Sequence, residues 1–215
     1  MHHTVFDTPV IRTVLHWTSR AYLKIFGWRC EGRVPQFPKY VMIAAPHTSN
    51  WDFPITMFLA FALKAKVYWM GKRSLFSFPF GPVMRWLGGI PIDRSRSNNV
   101  VAETVKVFNE HDDLILIVPP EGTRGRVTYW KTGFYRIASG AGVPIVLGFV
   151  DYCRKAGGIG PAVFPTGDID ADMEEIRSFY AGISGKYPEK SSLAAVAQAR
   201  PVRGLAKTAD PAPAP

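Results

Sequence analysis

Apolar residues recur along this chain with two different periods, and the switching between them predicts a layered α/β architecture. From Val10 to Gly27 the residues Ile11, Val14, Leu15, Thr18, Tyr22, Ile25 and Phe26 return at three- and four-residue steps, which marks a helix with one apolar face. Arg12, His16, Arg20 and Lys24 stand at four-residue spacing on another face. With Trp17 and Trp28 near the boundary, such a helix suits a membrane surface, and a core-packing helix with a solvated basic face accounts for the same pattern. A connector carrying Gly32, Pro35 and Pro38 follows. The apolar run Tyr40 to Ala45, bounded by Pro46, then predicts a buried strand leading into a turn.

The same alternation continues downstream. A second helix is expected from Asn50 or Asp52 to about Lys64, with Pro54 in the first turn, where a missing N–H is tolerated. Val67 to Met70 reads as a strand, Val100 to Asn109 as a helix, Leu114 to Val118 as a strand, Tyr135 to Ser139 as the end of a short helix and Val143 to Val150 as a further strand. Asp168 to Gly182 predicts a last helix with an acidic first turn suited to the helix dipole. Strands that are nearly all apolar and alternate with helices point to a mostly parallel central sheet covered on both faces. The fold expected is a single α/β domain with an N-terminal amphipathic helix. Its segments are 1–39 for that helix and connector, 40–187 for the main domain, and 188–215 for a tail whose Ala, Pro, Lys and Ser favour disorder.

Composition agrees with a packed domain and removes several alternatives. Of 215 residues 47% are hydrophobic and 13% aromatic, with 20% charged, so disorder throughout is excluded. Two cysteines, Cys30 and Cys153, imply no disulfide framework and favour a reducing compartment. The first residues, with His2, His3 and Asp7, do not read as a secretory signal. The longest uncharged stretches, Phe53 to Leu63 and Ile137 to Val150, fall short of the roughly 20 residues that span a bilayer. No transmembrane span is therefore expected, although the chain can lie on a membrane.

The net charge of +9 is unevenly placed. Positive charge concentrates in Met1 to Tyr40, Lys64 to Arg96 and Arg124 to Lys155, and acids gather at Ser97 to Glu121 and Asp168 to Glu175. That distribution suggests an anionic partner, whether a small-molecule phosphate, a lipid headgroup or a nucleic acid.

Familiar catalytic devices are missing: no G-x-S-x-G elbow, no Walker loop, no complete G-x-G-x-x-G and no Cys-x-x-Cys. The histidines lack metal-binding spacing, and Asp168, Asp170 and Asp172 fail as a calcium loop because Met173 and Phe179 occupy the required glycine and glutamate positions. Three segments remain. The first is Pro46-His47-Thr48-Ser49-Asn50-Trp51-Asp52, where a histidine leaves a buried strand and an aspartate follows five positions later. If His47 lies in the turn and Asp52 in the first helical turn, the carboxylate can fold back on the imidazole, fix its tautomer and leave the other nitrogen as a general base. The plain alternative makes Ser49 or Asn50 a helix cap and His47 a satisfied turn residue. The second segment is Gly88 to Arg96, containing Asp93-Arg94, and the third is Val118 to Arg126, containing Glu121-Gly122-Thr123-Arg124. In the third a buried strand presents its turn at the carboxyl end, where open α/β sheets bind ligands, and an arginine there suits bidentate phosphate recognition.

Taken in order, these segments resemble the glycerolipid acyltransferase family that includes lysophosphatidic acid acyltransferase. His47 and Asp52 match its His-x4-Asp block, Asp93 and Arg94 its Asp-Arg block, Glu121 to Arg124 its Glu-Gly-Thr-Arg block, and Val143 to Ile145 its Val-Pro-Ile block. Gly71 to Phe76 resembles its Lys-rich segment and Lys131 to Phe134 its Lys-x-Gly segment. The resemblance spans about Tyr40 to Asp151. Pro46, Pro91, Pro119 and Gly125 depart from common choices of the family.

The resemblance implies transfer of a fatty acyl chain from acyl-CoA or acyl carrier protein to a hydroxyl of a glycerol phosphate or lysolipid, most closely 1-acylglycerol-3-phosphate, in phospholipid biosynthesis. No cofactor beyond the acyl thioester co-substrate is implied. His47, Asp52 and Lys72 would be catalytic: His47 as general base, Asp52 orienting it, Lys72 helping to hold the oxyanion. Arg94 and Arg124 would bind the acceptor phosphate, with Glu121, Gly122 and Thr123 completing the substrate site and Glu121 directed at glycerol hydroxyls. The expected partners are an acyl thioester, a phosphorylated glycerolipid and an anionic membrane surface, with the protein peripheral on the cytoplasmic face and no nucleic acid bound. An acyl-thioester hydrolase and a non-catalytic lipid-binding protein are the rival readings. The acyl groove is expected along Phe76 to Trp86 and the second helix.

Overall fold

The fold is seen in a computed structural model that describes residues 1–92, 97–127 and 129–191, with side chains of 97–99 left aside. The predicted N-terminal helix is α1, Pro9–Ile25, and a three-residue strand β1, Arg29–Glu31, follows it. Next come β2 (Lys39–Ala45), α2 (Asp52–Leu63) and β3 (Val67–Lys72). After β3 the chain forms α3 (Gly81–Trp86), β4 (Gly89–Ile92), α4 (Ser97–Glu110) and β5 (Leu114–Val118). The remainder is α5 (Gly133–Ala141), β6 (Ile145–Asp151), β7 (Ala156–Val163) and α6 (Ile169–Tyr180). The tail expected from 188 onward lies largely outside the described residues.

Among the described residues all strands join one seven-stranded sheet in the order β1-β7-β6-β2-β5-β3-β4. Every neighbouring pair is parallel except β6 and β7. Side chains alternate across β2: Val41 and Ile43 enter one core with α4, α5 and α6, whereas Tyr40 and Met42 enter another with α2. The result is a sheet between two helical layers, as the apolar strands predict. β6 is buried along its whole length, as a central strand covered on both faces must be.

Four elements carry too weak a pattern to be read in advance: β1, α3, β4 and β7. β7 is the instructive case, because Ala-Gly-Gly-Ile-Gly-Pro has neither β-branched enrichment nor alternation. Its glycines answer to close packing. A Cβ on Gly158, which sits at φ +152°, would lie 1.9 Å from the Glu31 carbonyl oxygen on β1.

α1 departs from its predicted faces. His16 from the basic row is buried, and its Nδ1 bonds the Phe61 carbonyl at 3.0 Å. Only a protonated Nδ1 can do so, and the bond gives the Phe61 carbonyl, in the last turn of α2, a second donor beside the Lys64 N–H. Ser19 and Leu23 are also buried, and Tyr22 stacks on Phe58 of α2 with centroids 4.2 Å apart. Val10, Val14, Trp17 and Ile25 face outward instead; Trp17 is 62% and Ile25 77% exposed. α2 is sandwiched between α1 and the sheet, which explains why it is apolar on every side.

Candidate active site

The parallel strands β2, β3 and β5 deliver their carboxyl ends to one edge of the sheet, and the candidate residues of the first and third segments meet there. His47 stands in the turn after β2, and Asp52 opens α2. The side chain folds back as the spacing allowed: Asp52 Oδ2 lies 3.1 Å from His47 Nδ1. Oδ2 also accepts the N–H groups of Thr48 and Ser49, each at 2.8 Å. Of the plain capping alternative a part remains: Trp51, with no side-chain cap, occupies the cap position, while Ser49 Oγ accepts the Trp51 N–H at 3.1 Å just ahead of the helix. Asp52 is 6% exposed and His47 21%, so the carboxylate is shielded while the imidazole stays reachable. A carboxylate on Nδ1 fixes the tautomer that leaves Nε2 to accept a proton.

Two contacts here have no signal in the sequence. The Tyr152 hydroxyl donates to Asp52 Oδ1 at 2.8 Å from 100 positions away. Burial first, and then the Asp52 charge, push the Tyr152 phenol far above its ordinary range, so it remains a donor. The second contact comes from Glu121. Its Oε2 accepts the His47 backbone N–H at 2.6 Å, and the side chain is buried beneath the turn. Glu121 thus sits behind the site, where its bond reaches His47 through the main chain.

A cavity of about 650 Å³ opens at this edge and runs between α2 and the sheet. His47, Asp52, Lys72, Gly122, Thr123 and Arg124 line it, and Lys72 and Arg124 are exposed. Further in, the walls are apolar: Met57, Ala60 and Leu63 from α2 face Met42, Val67 and Ile117 of the sheet. An apolar groove therefore runs along α2, one of the two segments where the acyl groove is expected. Within Phe76 to Trp86 the cavity takes only Met84, because Phe76 is packed into the core beside Trp69. Arg94 lies outside the described residues; β4, which leads to it, ends at Ile92 in register with Lys72.

A reachable histidine backed by a buried carboxylate thus stands, with cationic groups, at the mouth of an apolar cavity. Residues 29–146 match the family model described as Acyltransferase, and the chain belongs to that family. The 1-acyl-sn-glycerol-3-phosphate acyltransferase of Haemophilus influenzae is 32% identical over 143 residues, covering 62% of this chain and 58% of that one. The enzyme of the same name from Escherichia coli K12 is 31% identical over 132 residues, covering 57% and 52%. The chain thus spans a little over half the length of the curated relatives it matches. The crystal structure of the 1-acyl-sn-glycerophosphate (LPA) acyltransferase PlsC from Thermotoga maritima superposes with a TM-score of 0.51 at 18% identity, over 81% of this chain and 82% of that one. That likeness establishes the shared fold.

Proposed function

We propose that this protein transfers a fatty acyl chain from an acyl thioester, acyl-CoA or acyl carrier protein, to the free hydroxyl of 1-acylglycerol-3-phosphate at a membrane surface. The observation that carries this reading is the His47–Asp52 pair at the mouth of an apolar cavity, with Lys72 and Arg124 on the same rim.

In the reaction the acceptor oxygen attacks the thioester carbonyl while its proton passes to His47 Nε2. Asp52 stabilises the imidazolium that forms. Lys72 offsets the charge on the tetrahedral oxygen, which any acyl transfer must accommodate. Collapse breaks the carbon–sulfur bond, and the thiolate takes the proton back from His47. The products are an ester and a free thiol, with no acyl-enzyme. Arg124, with Arg94, holds the acceptor phosphate; Gly122 and Thr123 form the neighbouring wall. Glu121 supports His47 through its backbone bond.

The outward stripe of Val10, Val14, Trp17 and Ile25, with Arg20 and Lys24 exposed beside it, supports α1 as the membrane-facing element. Among the described residues no helix is long and apolar enough to cross a membrane. Free, exposed Cys30 and Cys153 support the cytoplasmic face.

The deciding experiment mixes the protein with acyl-CoA and 1-acylglycerol-3-phosphate, follows thiol release and identifies the product by mass. Diacylglycerol phosphate that forms with the wild type and is lost with His47→Ala is the expected result. Thiol release that needs no acceptor would make the protein a thioesterase, and no release at all would make it a lipid carrier.

A further inference from the structure

Asp52 Oδ2 is occupied by three donors, two backbone amides and His47 Nδ1, which leaves Oδ1 as the second handle on the rotation of the carboxylate. Oδ1 is held by the Tyr152 hydroxyl. Tyr152 is itself braced on several sides. Its ring meets Trp28 edge to face with centroids 5.2 Å apart. Its backbone N–H donates to the Ser184 carbonyl at 2.9 Å. The chain just beyond Ser184 then crosses the His47 turn: a Cβ on Gly185 would lie 2.7 Å from Thr48 Oγ1, and the Tyr187 N–H donates to that same oxygen at 3.2 Å. Lys186 covers Trp51 at 5.1 Å. Trp28, Tyr152 and residues 184–187 all lie outside 29–146, the stretch that matches the family model.

We propose that Tyr152 is a positioning residue for acyl transfer, its hydroxyl fixing Asp52 Oδ1 so that Oδ2 stays aligned on His47 Nδ1. The inference rests on reading His47 and Asp52 as the catalytic pair. With Oδ1 released, rotation about the Cβ–Cγ bond is opposed only by the contacts on Oδ2, the carboxylate turns through a wider arc, and the imidazole then samples both tautomers. Misalignment of a general base lowers turnover without altering how substrate binds.

Tyr152→Phe keeps the ring and removes only the hydroxyl. Its kcat is expected to fall about tenfold with KM changed less than about twofold, and in an Asp52→Asn background the same substitution is expected to cost less than about twofold. Nitrogen-15 correlation spectra of His47 give a readout independent of turnover: one Nδ1–H tautomer in the wild type and a mixture of both in Tyr152→Phe, with circular dichroism unchanged. Equal losses with Asp52 intact and in the Asp52→Asn background, or an unaltered His47 tautomer, would overturn the proposal. Should the wild type transfer no acyl group, the catalytic reading fails, and the tautomer spectra still decide what Tyr152 does.

Discussion

Asp52 receives hydrogen bonds from the backbone N–H groups of Thr48 and Ser49 and from the side chains of His47 and Tyr152, and only the last two can be removed by substituting the donor. Asp52→Asn leaves the side-chain volume but loses the charge that stabilises the imidazolium. Turnover is expected to fall about a hundredfold or more with acceptor KM little changed, read from initial rates of thiol release. Glu121 makes a different prediction because its bond reaches the main chain of His47. Glu121→Gln keeps an acceptor oxygen for that N–H, whereas Glu121→Ala leaves it buried and unpaired at about 1–3 kcal/mol. Thermal unfolding should therefore separate the two, with Ala well below Gln. A large rise in acceptor KM in Glu121→Gln at unchanged stability would instead assign Glu121 to the glycerol hydroxyls. Asp7 yields the pH prediction. Burial pushes its carboxyl up, but the Lys66 ammonium, 2.8 Å away, and the Thr4 donors outweigh burial and hold it down at about 2. A carboxyl lowered in the folded state stabilises the fold above its unfolded value, and that contribution disappears as pH falls from roughly 4 to 2. Asp7→Asn should be less stable than wild type near neutrality, and the difference should close as pH falls through and below about 2, measured by denaturant midpoints.

At the scale of elements, α1 shows how one periodic pattern serves two surfaces. Its Leu23 and His16 hold α2, and its Val14 and Trp17 face out. Replacing both Val14 and Trp17 by Glu is expected to reduce co-sedimentation with anionic vesicles about tenfold or more while leaving the unfolding midpoint nearly unchanged, because neither side chain is buried. Leu23→Glu should do the opposite and destabilise the fold, since it forces a charge against Ile55 and Leu59. Point changes serve better here than deletion of the helix, because Val5 and Phe6 ahead of it belong to the core. β7 belongs to the same scale: a strand of glycines is stable where its neighbours come too close for side chains, and no local propensity announces that.

The whole molecule sets the length of the cavity. α2 has 12 residues and so runs about 18 Å from Asp52, at the rim, to Leu63 at the far end. Ala60→Phe should fill the inner part and shift preference toward shorter acyl donors, read as kcat/KM across acyl-CoA chain lengths. The amino-acid sequence by itself determined the layered α/β class, β2, β5, β6 and the strong helices, because burial on both faces requires continuous apolar runs and a helix requires its own period. It also placed His47 and Asp52 together, since a strand-to-helix turn brings positions five apart within reach. Tertiary structure alone decided the rest. Tyr152 and Glu121 reach the turn from 100 and 74 positions away, a separation at which spacing carries no geometric information. Which stripe of α1 faces outward depends on what α2 presents to it, and the glycines of β7 depend on backbones that only the folded sheet brings within touching distance.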